Sequence, residues 1–427
     1  MATIYGKSYG KPTLDLNFAG NKSLIDTITR ANYITFTRAQ SGNEATYVGS
    51  DGLIKYASAD EPRFDHDPET LESLGLLIEE SRTNLLRYTN DIGNAPNPYW
   101  IQNSIGVNVI PNATLSPDGQ MNATFVQENL VNTSHYIRHP SSHIPSDKTN
   151  TIFTYSVYIK PNGRTNIIFY NDIGGTISRF NLDNPSSNVE ILPDGWYKLI
   201  GQYTSDSINP QNTSFFIGME DAEYTDFVYG SKVYQGDGTS GFYVWGAQCE
   251  EGSFPTSYIP TSGSTETRSA DEASITGSNF SRWYNQSEGT VFSDLKSNYR
   301  NGIGAWSLHT GTSTIVSNSI HLTQSTFNRY EFQVYNGSTQ VSLYSTEIIS
   351  ASASNRIATA YSTNNYAASF NGLTPGVDTS GTLPVSLSTL SIGRRTNNSV
   401  TQMSGTIARL TYYPKRLPDI ELQQLTK

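Results

Sequence analysis

Apolar and polar positions alternate in short runs along most of this chain. Thr13-Leu-Asp-Leu-Asn-Phe18 and Tyr330-Glu-Phe-Gln-Val-Tyr335 switch residue by residue. A period of two is the signature of a strand with one face buried. Comparable runs predict strands at 34–37, 46–49, 74–78, 152–159, 166–170, 196–200, 214–218, 241–246, 289–295, 356–361, 366–370, 390–393 and 405–413. Turn residues separate them: Ser50-Asp51-Gly52, Lys160-Pro161-Asn162-Gly163, Pro193-Asp194-Gly195, Asn364-Asn365 and Asn371-Gly372. The stretch 418–425 differs, with Pro418 at its start and Ile420, Leu422 and Leu425 at helical spacing. The expected fold class is therefore all-β, with two β-sandwich (jelly-roll) domains and one short C-terminal helix.

The runs are not evenly distributed. Residues 1–95 hold few segments able to make a core, and Pro62-Arg-Phe-Asp-His-Asp-Pro68 is held extended by its prolines. This part is expected to be an extended docking arm. Residues 96–262 carry the strands of a first jelly roll, and 281–427 those of a second sandwich. Between them, 263–280 is rich in Ser, Thr, Gly and Glu and reads as a linker or a surface-hugging connection.

Composition fits this picture. A chain of 427 residues is too long for one core. Only 36% of it is apolar and 15% charged, with 27 Tyr and 17 Phe suited to pleated surfaces. The net charge of −10, with no basic run, argues against a nucleic-acid partner. No stretch reaches the length of about 18 apolar residues that a spanning helix needs, so membrane insertion is not expected. Met1 to Gly10 lacks an apolar leader core. The single cysteine, Cys249, follows the apolar run 242–247 and is expected to be buried and inert.

Three stretches resemble proteins of tailed bacteriophages, especially those of marine and cyanobacterial hosts. Ile34-Thr-Phe-Thr-Arg-Ala, Ala45-Thr-Tyr-Val-Gly-Ser-Asp-Gly-Leu-Ile-Lys, Pro62 to Pro68 and Gly75-Leu-Leu-Ile-Glu-Glu-Ser-Arg-Thr-Asn-Leu-Leu86 are similar to the N-terminal segment of phage head-spike and tail-fibre proteins. Val244-Trp-Gly-Ala-Gln-Cys-Glu-Glu-Gly-Ser-Phe-Pro-Thr-Ser-Tyr-Ile-Pro-Thr261 resembles the closing strand of their carbohydrate-binding-type jelly rolls. Those proteins usually carry a longer apolar residue where Cys249 stands. Phe280 to Thr290, Asn355-Arg-Ile-Ala and 405–425 look like a concanavalin/laminin-G-type sandwich. The resemblance implies a virion structural protein, a head fibre, capsid decoration or tail fibre, made in the host cytoplasm. Its implied partners are itself, as a homotrimer, other virion proteins through residues 1–95, and host-surface polysaccharide. A polysaccharide-degrading tailspike and a purely architectural cement protein are the alternatives.

Candidate chemistry is sparse. Glycoside hydrolysis needs two carboxyls about 5–9.5 Å apart. Adjacent residues on a strand face opposite ways, so neither Glu79-Glu80 nor Glu250-Glu251 makes such a couple alone. His135, His139 and His143 are spaced by four, but Pro140 and Pro145 point to a loop there. No enzyme activity is expected. Sugar recognition asks for aromatic rings flanked by amides and acids, for which Trp100, Tyr136, Trp306, His309 and Tyr361 are the candidates. Trp283 and Tyr284 read as packing residues. No cofactor is expected beyond calcium, for which Asp221 and Asp237 are candidate ligands.

Overall fold

A computed structural model describes the chain apart from residues 1–9, 40–44, 97, 101–104, 172–174, 211–212, 222–231, 299–301, 312–317, 326–327, 347–352 and 396–401. The described residues build two antiparallel β-sandwiches. In the first, a six-stranded sheet runs Val189–Ile191, Tyr197–Thr204, Ile152–Asn162, Gly241–Glu251, Ala123–Glu128, Val107–Thr114. A four-stranded sheet, His135–His139, Phe215–Glu220, Asn166–Asn171, Gly175–Asn181, packs on it. The inward halves of both sheets, among them Phe153, Tyr155, Val157, Ile167, Phe169 and Ile217, form one core. Cys249 is buried there, and burial pushes its thiol up, as expected of an inert side chain. The central strand runs past the expected stop and carries Pro161 opposite Phe242. Its pairing on the other side ends at Ile159, so the missing amide of proline costs no ladder bond there.

The second sandwich sets an eight-stranded sheet against a seven-stranded one. The expected arm belongs to it. Leu14–Leu16 and Ser73–Ile78 pair with the C-terminal strand Gly405–Tyr413, Arg63–His66 extends that sheet, and Thr35–Thr37 closes the edge of the other. Leu14, Leu16, Phe18, Ile34, Phe36, Leu76 and Ile78 all lie in its core. Each N-terminal strand is too short to make a core of its own, and the apolar half-faces are covered by strands 200–400 residues away. The C-terminal helix Asp419–Leu425 lies on the outer side of the eight-stranded sheet, where Ala358, Ala360 and Ala367 leave room for Leu422.

Nor is the stretch 263–280 a free linker. It contributes the strands Glu266–Arg268 and Glu272–Thr276 and the helix Gly277–Ser281. Between the two strands it enters a buried ionic junction at the meeting of the sandwiches. Arg63 contacts Asp271 at 2.5 Å and Glu79 at 2.8 Å. Arg38 reaches Asp271 at 2.9 Å, and Arg268 reaches Glu79 at 3.1 Å. Ser257, from the loop after the first sandwich's last strand, donates to Glu79 through both its amide and its hydroxyl. Burial opposes the ionised form of Glu79, but Arg268 and Arg63 hold its carboxyl down at about 2. Asn84 locks the same region, donating to the carbonyls of Ala247 and Ile259 and accepting from the amides of Leu86 and Cys249.

Candidate functional site

Strand parity decides where the candidate residues point. In Gly304–His309 the alternation turns Trp306 and Leu308 into the core and Ser307 and His309 away from it. In Asn318–Gln324, Ile320 and Leu322 go inward and Ser319, His321 and Thr323 outward. In Tyr330–Asn336, Phe332 and Val334 go inward while Glu331, Gln333 and Tyr335 lie on the opposite face. The ladders then align one polar row across five strands. Ser391 stands opposite Ser307, Ser307 opposite His321, His321 opposite Gln333, and Gln333 opposite Ser342.

Hydrogen bonds join the His321 end of this row into a network, whereas the Ser307 hydroxyl, between His321 and Ser391, makes none with the described residues. Gln333 donates through Nε2 to Glu331 at 2.6 Å, and the Ser342 hydroxyl donates to the same carboxylate oxygen. That leaves Gln333 Oε1 as an acceptor, 2.9 Å from His321 Nε2, so this nitrogen carries the proton. His321 Nδ1 then accepts from the Ser319 hydroxyl at 3.1 Å. His309 accepts the Gly311 amide on Nδ1 and donates through Nε2 to Ser391 at 2.9 Å. Both imidazoles are neutral at neutral pH. Burial, aided by Arg394, lowers His309 to about 4; burial, aided by Arg395, lowers His321 to about 3.

The outermost layer is partly open. The half-buried ring of Tyr335 stacks on His321 with centroids 5.5 Å apart and planes at 11°. The Arg395 guanidinium lies 5.8 Å from the Tyr335 centroid, and its Nη2 donates to Gln333 Oε1 at 3.3 Å. An aromatic ring, an amide, a carboxylate and a guanidinium thus converge on one sheet face. This combination suits a polyhydroxylated ligand: the ring offers a stacking platform and the others exchange hydroxyl hydrogen bonds. The Ser319–His321 pair is a poor nucleophile–base couple. Both residues are buried, and an imidazole at about 3 is a weak base.

Of the residues chosen from sequence, only His309 lies on this face, bonded to Ser391 and Gly311 and separate from the His321 network. Trp306 is buried in the core, one residue out of phase with the polar face. Trp100 is fully buried in the first sandwich, its indole donating to the Arg87 carbonyl and its ring packed on His139. Tyr361 is also fully buried, its hydroxyl 2.9 Å from that of Tyr412. None of these three rings can stack on a sugar. Tyr136 is half-buried on the outer side of the four-stranded sheet, edge-on to Tyr170 and Phe216. Trp283 packs with Phe280 and Tyr412, as a packing residue should.

The candidate calcium ligands are engaged separately. Asp221 pairs with Lys232 at 2.7 Å, while Asp237 accepts from the amides and hydroxyls of Thr239 and Ser240 and so closes its own turn. Among the described residues no group of three or more His, Cys, Asp or Glu gathers in a metal-holding arrangement. The histidine trio does not lie in a loop throughout. His135 and His139 belong to a strand, and His143 is tied to the Tyr155 hydroxyl at 2.8 Å.

The sequence matches no family model and no curated protein. Solved structures with partial likeness include the CBM40 of the Ruminococcus gnavus IT-sialidase bound to alpha2,3 sialyllactose, at 19% identity, TM-score 0.30, covering 34% of this chain and 84% of that one. The SAP-like pentraxin of Limulus polyphemus follows at 17% identity and TM-score 0.27, covering 33% and 70%. The CBM22-1-CBM22-2 tandem of Paenibacillus barcinonensis Xyn10C reaches 79% of this chain and 99% of its own, at 9% identity and TM-score 0.26. No site residue is carried over from them.

Proposed function

We propose that this chain is a glycan-binding structural protein of a tailed-phage particle, attaching to host-surface polysaccharide through the polar face of its seven-stranded sheet. The observation that carries the binding part is the half-buried Tyr335 ring, supported from below by His321 and flanked by Gln333, Glu331 and Arg395. A rigid ring beside preordered donors and acceptors gives up little entropy when a sugar stacks on it. The virion part rests on the phage-like stretches 34–86 and 244–261. A homotrimeric state belongs to the same reading.

The test is an array of capsule and lipopolysaccharide oligosaccharides, probed with the intact chain and with Tyr335→Ala. The expected result is selective retention by the intact chain, with at least ~10-fold weaker binding by the variant at an unchanged melting temperature, a loss of about 1.4 kcal/mol. Failure of the intact chain to retain any glycan overturns the binding reading. Absence of the chain from purified particles by mass spectrometry overturns the virion reading.

A further inference from the structure

A groove of about 570 Å³ runs between the two sandwiches, and no residue of the polar face lines it. Tyr158, Glu190 and Lys198 line it from the first sandwich, and Asp65, His66 and Lys296 from the second. Its volume lies within the ~300–1,000 Å³ of small-ligand sites.

A bulge shapes its floor. Asp65 pairs with Gly75 but His66 pairs with Ser73, so Leu74 is the extra residue. Gly75 has φ +94°, and a Cβ there would lie 2.2 Å from the Ile407 carbonyl oxygen, so only glycine fits. Across from it, the neighbours Asp65 and His66 on the partner strand both line the groove and both bond to Val48. The Val48 amide donates to Asp65 Oδ1 at 2.7 Å, and the Val48 carbonyl accepts from His66 Nδ1 at 3.0 Å.

That second bond fixes the His66 tautomer. A carbonyl only accepts, so Nδ1 carries the proton and Nε2 presents a lone pair. His66 is only 4% exposed, yet its Nε2 has no hydrogen-bond partner among the described residues. A buried acceptor left open is costly unless a ligand or solvent donor meets it. The Asp65 carboxyl adds a second acceptor; burial, against the Val48 bond, raises it to about 7. Lys198, 3.7 Å from Glu190 and otherwise enclosed, supplies a donor on the opposite wall. The surrounding acids make the groove unsuited to an anion.

We propose that this groove is a second carbohydrate subsite, taking an uncharged sugar whose hydroxyls donate to His66 Nε2 and Asp65 and accept from Lys198. The proposal rests on the reading of the chain as a glycan binder but uses none of the residues of the polar face.

Side-chain nitrogen NMR of imidazole-labelled protein tests it, with the His66 signal assigned from His66→Gln. The probes are maltose, cellobiose and lactose at ~10 mM, ten times a 1 mM Kd, with glucuronate and glucosamine as charged contrasts. The expected result is a saturable shift of His66 Nε2 with at least one neutral disaccharide, kept in Tyr335→Ala and weakened at least ~10-fold in Lys198→Met. A silent His66 in a protein that binds glycan at Tyr335 overturns the subsite and leaves the main reading standing. A response to the charged sugars alone, or one unaffected by Lys198→Met, overturns it as well.

Discussion

The ionic junction between the sandwiches and the polar face of the seven-stranded sheet both take hydrogen-bonding side chains out of water, by opposite means. In the junction the groups are ionised: Arg38, Arg63 and Arg268 surround Asp271 and Glu79, all nearly or fully buried. Buried charge is tolerable only when partnered on every side. The carbonyls of Thr46, Ser58 and Glu80 take further guanidinium bonds, leaving Arg63 Nε and Arg268 Nε as buried nitrogens without a hydrogen-bond partner among the described residues. On the sheet face two neutral imidazoles and the buried Glu331 carboxylate are held by Gln333 and the serines, and the network ends at a half-buried ring and guanidinium. A closed charged cluster fixes the relation of two bodies. A hydrogen-bonded cluster with an open rim can exchange water for ligand hydroxyls at small cost.

The largest effect should come from opening the closed cluster. Asp271→Ala deprives Arg38 and Arg63 of the carboxylate they share and should cost about 3–5 kcal/mol. Calorimetry or urea unfolding reads this directly. A loss below ~1 kcal/mol would mean that the junction is wet and weak, and the contrast with the sheet face would collapse.

The next effect separates the clusters by pH. Burial keeps His321 uncharged in the folded chain down to about 3, whereas in the unfolded chain it titrates near 6.5. The unfolded state therefore binds the extra proton first. Stability from this group is complete above pH 6.5 and is lost as the pH falls towards 3. Asp65, raised to about 7, works in the other sense over part of that range, so the comparison must be made between proteins. His321→Gln should flatten the acid limb relative to the unsubstituted chain, by roughly 2–3 kcal/mol at pH 4. Identical pH profiles would show that His321 is hydrated when folded.

Much of the fold could be read from alternation, because the period of two is a local property. The strands of both sandwiches and the C-terminal helix fall close to where the pattern puts them. What alternation cannot supply is the partner. Leu14 pairs with Tyr412, Thr35 with Ser274 and Leu76 with Ile407, and nothing near residues 14–78 announces strands so distant. A short strand whose cover lies at the far end of the chain looks like an arm. Arg63, Glu79 and Arg268 were hidden for the same reason, since isolated charges read as surface until the fold brings them together.

The site was half legible. Choosing Trp306 by residue type overlooked its phase: in Ala-Trp-Ser-Leu-His the tryptophan shares a face with Leu308. The alternation noted at 330–335 already separates Phe332 and Val334 from Glu331, Gln333 and Tyr335, and Ile320-His321-Leu322 does the same for the imidazole. The register that sets His321 beside Gln333 was not in any local pattern.

The smallest effect is the sharpest probe of the open rim. Arg395 contacts this network through the Tyr335 face and one bond to Gln333, and it also helps to hold the imidazole beneath uncharged. Arg395→Ala should cost only about 0.5–1 kcal/mol, the size of a cation–π contact at a partly exposed site. With that positive charge gone, the pKa of His321 should rise, because one of the forces opposing its protonation has been removed. NMR titration of the imidazole measures this without reference to any ligand. A rim built for exchange should tolerate the change and keep its network. If stability instead falls as far as in Asp271→Ala, Arg395 is a structural clamp, and the sheet face is a second closed junction and not a surface left open for sugar.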